Sequence, residues 1–234
     1  MELNRLEKIS LNNNPTKWEQ NINSCLKISS LNCQSLKPKI KHLKDDPIVN
    51  KSDVICLSET WLCSDTTDIS LEIEGFEIQL NSNGHGKGVA TYYRKDKFHH
   101  CLDIKEADMQ ITKLSSDMVE LLSVYRSSNG DPRKLSDLII KNITPEKTTV
   151  VCGDVNICFK SDRNNNLIKT LEGNGFDQYV KEATHIKGGL IDHVYVKQGS
   201  NGVGVDVCLY SPYYCAKDHD ALLLTLDLNS QETR

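Results

Sequence analysis

No run of apolar residues in this chain approaches the length that a membrane-spanning helix needs. The first twenty residues, MELNRLEKISLNNNPTKWEQ, hold no apolar core of a secretory signal. No two cysteines form a CxxC pair, and their number, nine, is odd. That excludes a cysteine-bound zinc and a complete disulfide framework, and it predicts reduced thiols in an intracellular protein. Cys56, Cys152 and Cys208 lie inside apolar runs, where a thiol acts as a small hydrophobe. Without a secretory route, the sequon Asn142-Ile143-Thr144 carries no meaning. There is no internal repeat. GHGKGVA, from Gly84, lacks phosphate-loop spacing and reads as a hairpin turn before a strand. Ser58 has no nucleophile-elbow glycines around it, and His99-His100 has no partner at ligand spacing.

Positive charge is not in excess either, with 28 lysines and arginines against 32 acids. The net charge of −4 does not advertise a nucleic-acid binder. The basic residues are clustered, however: Lys37, Lys39, Lys41 and Lys44 in one segment, and Arg94, Lys95 and Lys97 with His99 and His100 in another. Taken alone, these read as a solvated helix face and a hairpin edge. A site that gathers carboxylates for a metal would lower the global charge without forbidding DNA binding.

What the chain does have is strand-like runs. Its 234 residues, 38% hydrophobic, suffice for a sizeable core. Residues 1–24 read as a polar tail or linker, 25–229 as the folded domain, and 230–234 as a C-terminal tail. LKISSLN, DVICLS, GVATYY, MVELLSVY, TTVVCG, LIDHVYV, VGVDVCLY and ALLLTLDL read as strands. Helices are expected over Ser35–Lys44, after the cap-and-proline pair Asp131-Pro132, and around Leu167, Ile168 and Leu171. Strands and helices do not alternate one for one, so a barrel of βα units is excluded. Two packed sheets with helices outside remain.

Polar groups sit at the ends of these strands: Asn32, Glu59, Asp154 with Asn156, Asp192, and Asp218-His219. Any one alone reads more simply as a turn-former or cap. As a set they are chemically coherent. In extended backbone Asp154 and Asn156 would share a side, with Val155 opposite. Glu59, Asp154, Asn156 and Asn32 offer hard oxygen ligands suited to magnesium or manganese. Asp154 is then a base for a water that Asn156 orients, and His219, oriented by Asp192, donates to a phosphoryl oxygen. Phosphodiester hydrolysis needs these parts.

Read together, SLNCQSL, DVICLSETWL, GKGVATYY, SVYRS, VVCGDVNI, GGLIDHVYV and KDHDALLLTL resemble the endonuclease/exonuclease/phosphatase superfamily. Within it they look most like the apurinic-type endonuclease domains of non-LTR retrotransposons and Helitron-type transposons. The resemblance runs from Leu26 to Leu228, with the motifs in the family's order. It implies a DNase I-like four-layer α/β sandwich, two mixed sheets with helices on the outer faces. It also implies a divalent-metal-dependent nick in DNA that leaves a 3′-hydroxyl. Magnesium is the implied metal, with manganese as the alternative, and DNA the partner. Further domains of a transposon polyprotein and a nuclear location follow from the same likeness.

Residue by residue, Asn32, Glu59 and Asp218 match metal-site positions, and Tyr125 a tyrosine that contacts the scissile phosphate. Asp154 and Asn156 match the GDxN pair, Asp192 and His219 the Asp–His pair, and Thr184 a threonine shortly before the Asp192 strand. Lys217 replaces the serine that many retrotransposon enzymes carry, as a phosphate contact or as a modifier of metal affinity. Arg126 reads equally as a phosphate clamp and as the end of a core strand. Two other readings stay open: a phosphodiesterase or phosphatase of the same fold on a non-DNA substrate, and a catalytically silent DNA-binding module.

Overall fold

The apolar runs do become strands, and most are buried on both faces. The structure is a computed structural model that describes residues 18, 25–62, 70–82 and 86–229. Among the described residues the first sheet is built from β1 (Cys25–Asn32), β2 (Val54–Ser58), β3 (Glu77–Asn81), β4 (Val89–Tyr93), β11 (Gly204–Tyr210) and β12 (Ala221–Asp227). The second is built from β5 (His99–Lys105), β6 (Met109–Ser115), β7 (Val119–Arg126), β8 (Thr148–Asp154), β9 (Asp177–Gln178) and β10 (Asp192–Lys197). Strand order is β11-β12-β1-β2-β4-β3 in one and β5-β6-β7-β8-β10-β9 in the other. Both sheets are mixed, because β1–β2 and β7–β8 run parallel while their neighbours run antiparallel.

Period-two alternation distributes each strand between two cores. Val54 and Cys56 of β2 face Val150 and Cys152 of β8 across the sheet–sheet interface, with Leu222, Leu224 and Leu226 of β12 in the same cluster. Ile55 and Leu57 point the other way and pack with Leu36, Ile40 and Leu43 under α1 (Ile40–Asp45). Val151 points outward from β8 to the helices α2 (Pro132–Lys141) and α3 (Asn166–Gly173), meeting Leu135, Ile139, Leu167 and Leu171. Helix, sheet, sheet and helix make the four layers expected. Strands covered on both faces read as continuous apolar runs.

Helix α2 starts as its sequence dictates: Asp131 accepts from the Arg133 N–H at 2.9 Å and Pro132 occupies the first turn. Asn165 caps α3 by accepting from the Leu167 N–H. The Ser35–Lys44 pattern delivers a shorter helix, since regular helix begins only at Ile40. GHGKGVA closes the β3–β4 hairpin, where Asn81 pairs with Val89. Part of that loop, residues 83–85, lies outside the described residues. Trp18, inside the stretch read as a tail, is buried and donates to the Ile48 carbonyl. The rest of residues 1–24, and 230–234, lie outside the described residues.

Candidate active site

Register carries the polar strand ends to one rim. In the parallel β1–β2 pair Asn32 lies opposite Ser58, so Glu59 emerges one residue beyond it. In the second sheet Asp154 lies between Tyr125 of β7 and Asp192 of β10. His219 precedes β12, and the Ala216 N–H in the same loop donates to the Asn32 carbonyl. Each sheet therefore contributes its half.

Side chains then join the halves. Asn32 Nδ2 donates to Glu59 Oε1 at 3.0 Å and to Asp154 Oδ2 at 2.9 Å. Its Oδ1 accepts from the Gln34 backbone N–H, which can only donate, so the amide's orientation is fixed. Asn32 thus reaches the site with its nitrogen, holding two carboxylates rather than offering the oxygen ligand expected. Asp154 Oδ1 accepts from the Asn156 N–H at 2.9 Å. His219 Nδ1 donates to Asp192 Oδ2 at 2.9 Å. Oxygen and nitrogen atoms of Asp154, Asp192 and His219 lie within 4.8 Å of one another.

The electrostatics follow. Asp154 is buried, and burial together with the Asp192 charge pushes its carboxyl up to about 8, against the pull of His219, Asn156 and Asn32. Burial works against the imidazolium of His219, but the hydrogen bond and charge of Asp192, with Asp154 and Asp218 behind, raise it to about 9. Burial first, then Glu59 and Asp154, hold the Tyr125 hydroxyl well above its ordinary value, so it stays a neutral donor. That hydroxyl donates to the Gly86 carbonyl at 3.2 Å.

The backbone here is strained. The non-glycine residues with positive φ among those described are Gln34, Ser35, Glu59, Trp61 and Asn156. All sit in the loops leaving β1, β2 and β8, at this rim. A non-glycine left-handed residue persists only where its surroundings over-determine it. Here the loops are laced together: the Ser35 and Leu36 N–H groups donate to the Glu59 and Thr60 carbonyls, and the Trp61 N–H to the Lys87 carbonyl. Gly153 is a different case. With φ +141°, a Cβ there would stand 1.9 Å from the Val124 carbonyl oxygen.

Four further expectations need correction. Asn156 does not share a side with Asp154 by strand alternation, because β8 ends at Asp154 and Asn156 has φ +51°. Its Nδ2 donates to the Arg126 carbonyl. Arg126 is no phosphate clamp. Its guanidinium is buried and donates to the backbone carbonyls of Ser128, Gly130, Val155 and Asn156. Thr184 is fully buried, and its Oγ1 accepts from the Ile191 and Asp192 N–H groups, so it positions Asp192 rather than meeting substrate. Asp218 pairs with His185 at 3.3 Å rather than with the Asn32–Glu59 pair. Lys217 is exposed beside it. His185 was missed by sequence reasoning. It lies outside any apolar run, and only its bridge to His219 brings it to the site.

Residues 21–214 match the model of the Endonuclease/Exonuclease/phosphatase family. The chain belongs to that family. Its members are hydrolases acting on phosphodiester bonds, typically with a divalent metal. No curated protein matches by sequence. Among solved structures, the endonuclease domain of TRAS1, a telomere-specific non-LTR retrotransposon, superposes with TM-score 0.63 at 13% identity, covering 88% of this chain and 100% of that one. The 3′-5′ exonuclease NExo from Neisseria meningitidis gives 0.67 at 19%, covering 86% and 100%. An AP endonuclease from Archaeoglobus fulgidus gives 0.64 at 16%, covering 88% and 100%. These likenesses establish the fold. No helix among the described residues is long and apolar enough to cross a membrane.

Proposed function

We propose that this chain is a divalent-metal-dependent DNA endonuclease that nicks one strand and leaves a 3′-hydroxyl. The observation that carries this reading is the pair of carboxylates, Glu59 and Asp154, drawn together by the single amide of Asn32. Two acids held this close, one of them buried and pushed up in pKa despite the pull of His219, favour a cation between them. Their hard oxygens fit magnesium, or manganese, better than a softer metal. Glu59 and Asp154 would hold the ion, which supplies charge neutralisation at a phosphate oxygen and at the departing oxygen.

The chain's own groups do the rest. Asp154, fixed by the Asn156 N–H and by Asn32, would be deprotonated by a cation beside it, and so orients the attacking water and accepts its proton. His219 carries a proton at neutral pH and donates its free Nε2–H to a non-bridging phosphate oxygen, while Asp192 holds the ring. The Tyr125 hydroxyl, at the same rim, is placed to donate to the scissile phosphate. The likeness to the TRAS1 domain favours a mobile-element role, DNA as substrate and other polyprotein domains as neighbours, with action in the nucleus.

The test is the product's chemistry. Nicked plasmid should be extended by a DNA polymerase without prior phosphatase treatment, and duplex DNA should be cleaved far faster than small phosphodiesters. A nick that cannot be extended refutes the 3′-hydroxyl assignment. Equal rates on small phosphodiesters refute DNA as the substrate.

A further inference from the structure

Beside the carboxylate cleft lies a second constellation of different chemistry. His185 and His219 are joined by an isolated backbone bridge, and their rings meet edge to face with centroids 5.1 Å apart. Asp218 Oδ2 stands 3.3 Å from His185 Nε2. One ligand atom from each of His185, Asp218 and His219 falls within a 4.8 Å spread. We propose that these three residues bind a transition-metal dication of the zinc class, and that its occupancy inhibits the enzyme by capturing the imidazole of His219. The inhibitory half rests on the role given to His219 above; the binding half does not.

Three features argue for a ligand. First, His219 is already oriented as metal-bound histidines are, with its Nδ1–H given to a carboxylate and its Nε2 left for an outward ligand. Asp192, which takes that proton, is itself anchored through Thr184. Second, Asp218 Oδ1 is screened from solvent and has no hydrogen-bond donor among the described residues. A carboxylate oxygen so placed lacks a partner that a cation supplies. Third, two imidazoles and one carboxylate favour zinc over magnesium, the reverse of the oxygen-rich cleft.

Zinc-bound ligand atoms at about 2.0–2.2 Å lie closer to one another than this spread, so the three must close in by roughly an ångström. A surface pocket of about 580 Å³, lined by His185, Cys158, Lys187 and Gly188, opens the His185 side of the site to solvent. Three things oppose binding, the first being that His219, protonated at neutral pH, must give up its Nε2 proton to become a ligand. Lys160 and Lys187 line the same pocket and repel a cation. His185 Nδ1 accepts from the Lys187 N–H at 3.2 Å, so its Nε2 carries the proton in the empty site. Ligation through Nε2 gives up that bond and moves the proton to Nδ1. These effects weaken the site without removing it.

The experiment titrates Co²⁺ and Zn²⁺ into the purified chain, into His185→Gln and into Asp218→Asn, with circular dichroism to verify folding. Cobalt absorption separates this site from the cysteines, since thiolate ligands add an intense near-ultraviolet charge-transfer band. Expected are one cobalt equivalent without that band, displacement by zinc, and affinity weakened at least about tenfold in both variants. Should one variant fail to fold, the other decides. Under magnesium, zinc should stop nicking by the wild type at concentrations that leave His185→Gln active. Equal affinity in the wild type and a folded variant, or a thiolate band at the first equivalent, overturns the site. Intact binding with equal zinc sensitivity in wild type and His185→Gln overturns only the inhibition. A chain that binds cobalt as described but never nicks DNA refutes the endonuclease reading and leaves the metal site standing.

Discussion

Replacing Arg126 by methionine keeps most of the side chain's apolar stem and removes its donors. In the native structure Nε donates to Val155 O at 2.7 Å, Nη2 to Asn156 O at 2.9 Å, and Nη1 to the Gly130 and Ser128 carbonyls. Arg126 is 3% exposed, so water does not readily replace those donors. Each orphaned buried carbonyl costs about 1–3 kcal/mol, and the most exposed of the four recovers part of its loss by hydration. The sum for the three shortest bonds is roughly 3–9 kcal/mol, a large share of the about 5–15 kcal/mol that folds a typical domain. Two of the four carbonyls belong to Val155 and Asn156, so the same substitution frees the loop that aims Asp154. Urea denaturation should show the unfolding free energy falling by that amount, and nicking should show kcat falling more than KM rises. A phosphate clamp predicts the opposite: unchanged stability and a raised KM. That result would refute the reasoning.

Other predictions concern the same rim. Gly153→Ala places a Cβ against the Val124 carbonyl oxygen inside the β7–β8 pairing; it should cost roughly 3–5 kcal/mol, read as a collapse in melting temperature or soluble yield, and a melting point near wild type contradicts it. Asn32→Ala removes the donor shared by Glu59 and Asp154, so the magnesium-saturated nicking rate should drop about 10–100-fold. A rate within twofold of wild type sinks that role. His219, raised from 6.5 to about 9 in the folded protein, stabilises the metal-free chain by up to roughly 3 kcal/mol. Because its folded value is the higher one, that stability is complete below pH 6.5 and is lost as pH rises through about 9. The wild-type advantage over His219→Gln in unfolding free energy should shrink across that window, and a constant difference contradicts the assignment.

Apart from the edge strand β11, the strands legible in the sequence were those in the middle of the sheets. Runs such as DVICLS and TTVVCG are buried on both faces and carry no polar interruption before their ends. The strands missed are of two kinds. β3, β5 and β9 are sheet edges. In β5, HHCLDIK alternates exposed and half-buried residues, so it lacks an apolar signature. β6 is fully buried yet carries Gln110, Thr112 and Lys113, whose polarity is absorbed by specific partners. Lys113 pairs with the buried Glu120 across the β6–β7 hairpin, a cross-strand partner that the apolar pattern does not announce. The site was legible because strand ends are local features, and parallel and antiparallel register brings them together. Side-chain direction was not. Asn156 turned away through a left-handed backbone, and Arg126 was claimed by carbonyls two to thirty residues away in the chain. His185 needed a tertiary bridge.

The most direct test is nicking of supercoiled plasmid by wild type, Asp154→Asn and His219→Ala, each with magnesium and with chelator. Open circles should form only with wild type and magnesium, with both folded variants slower by at least about a thousandfold. Chelator-resistant nicking, or either variant keeping pace with wild type, would contradict the claim that these strand-end groups form one metal-dependent phosphodiester-cleaving centre.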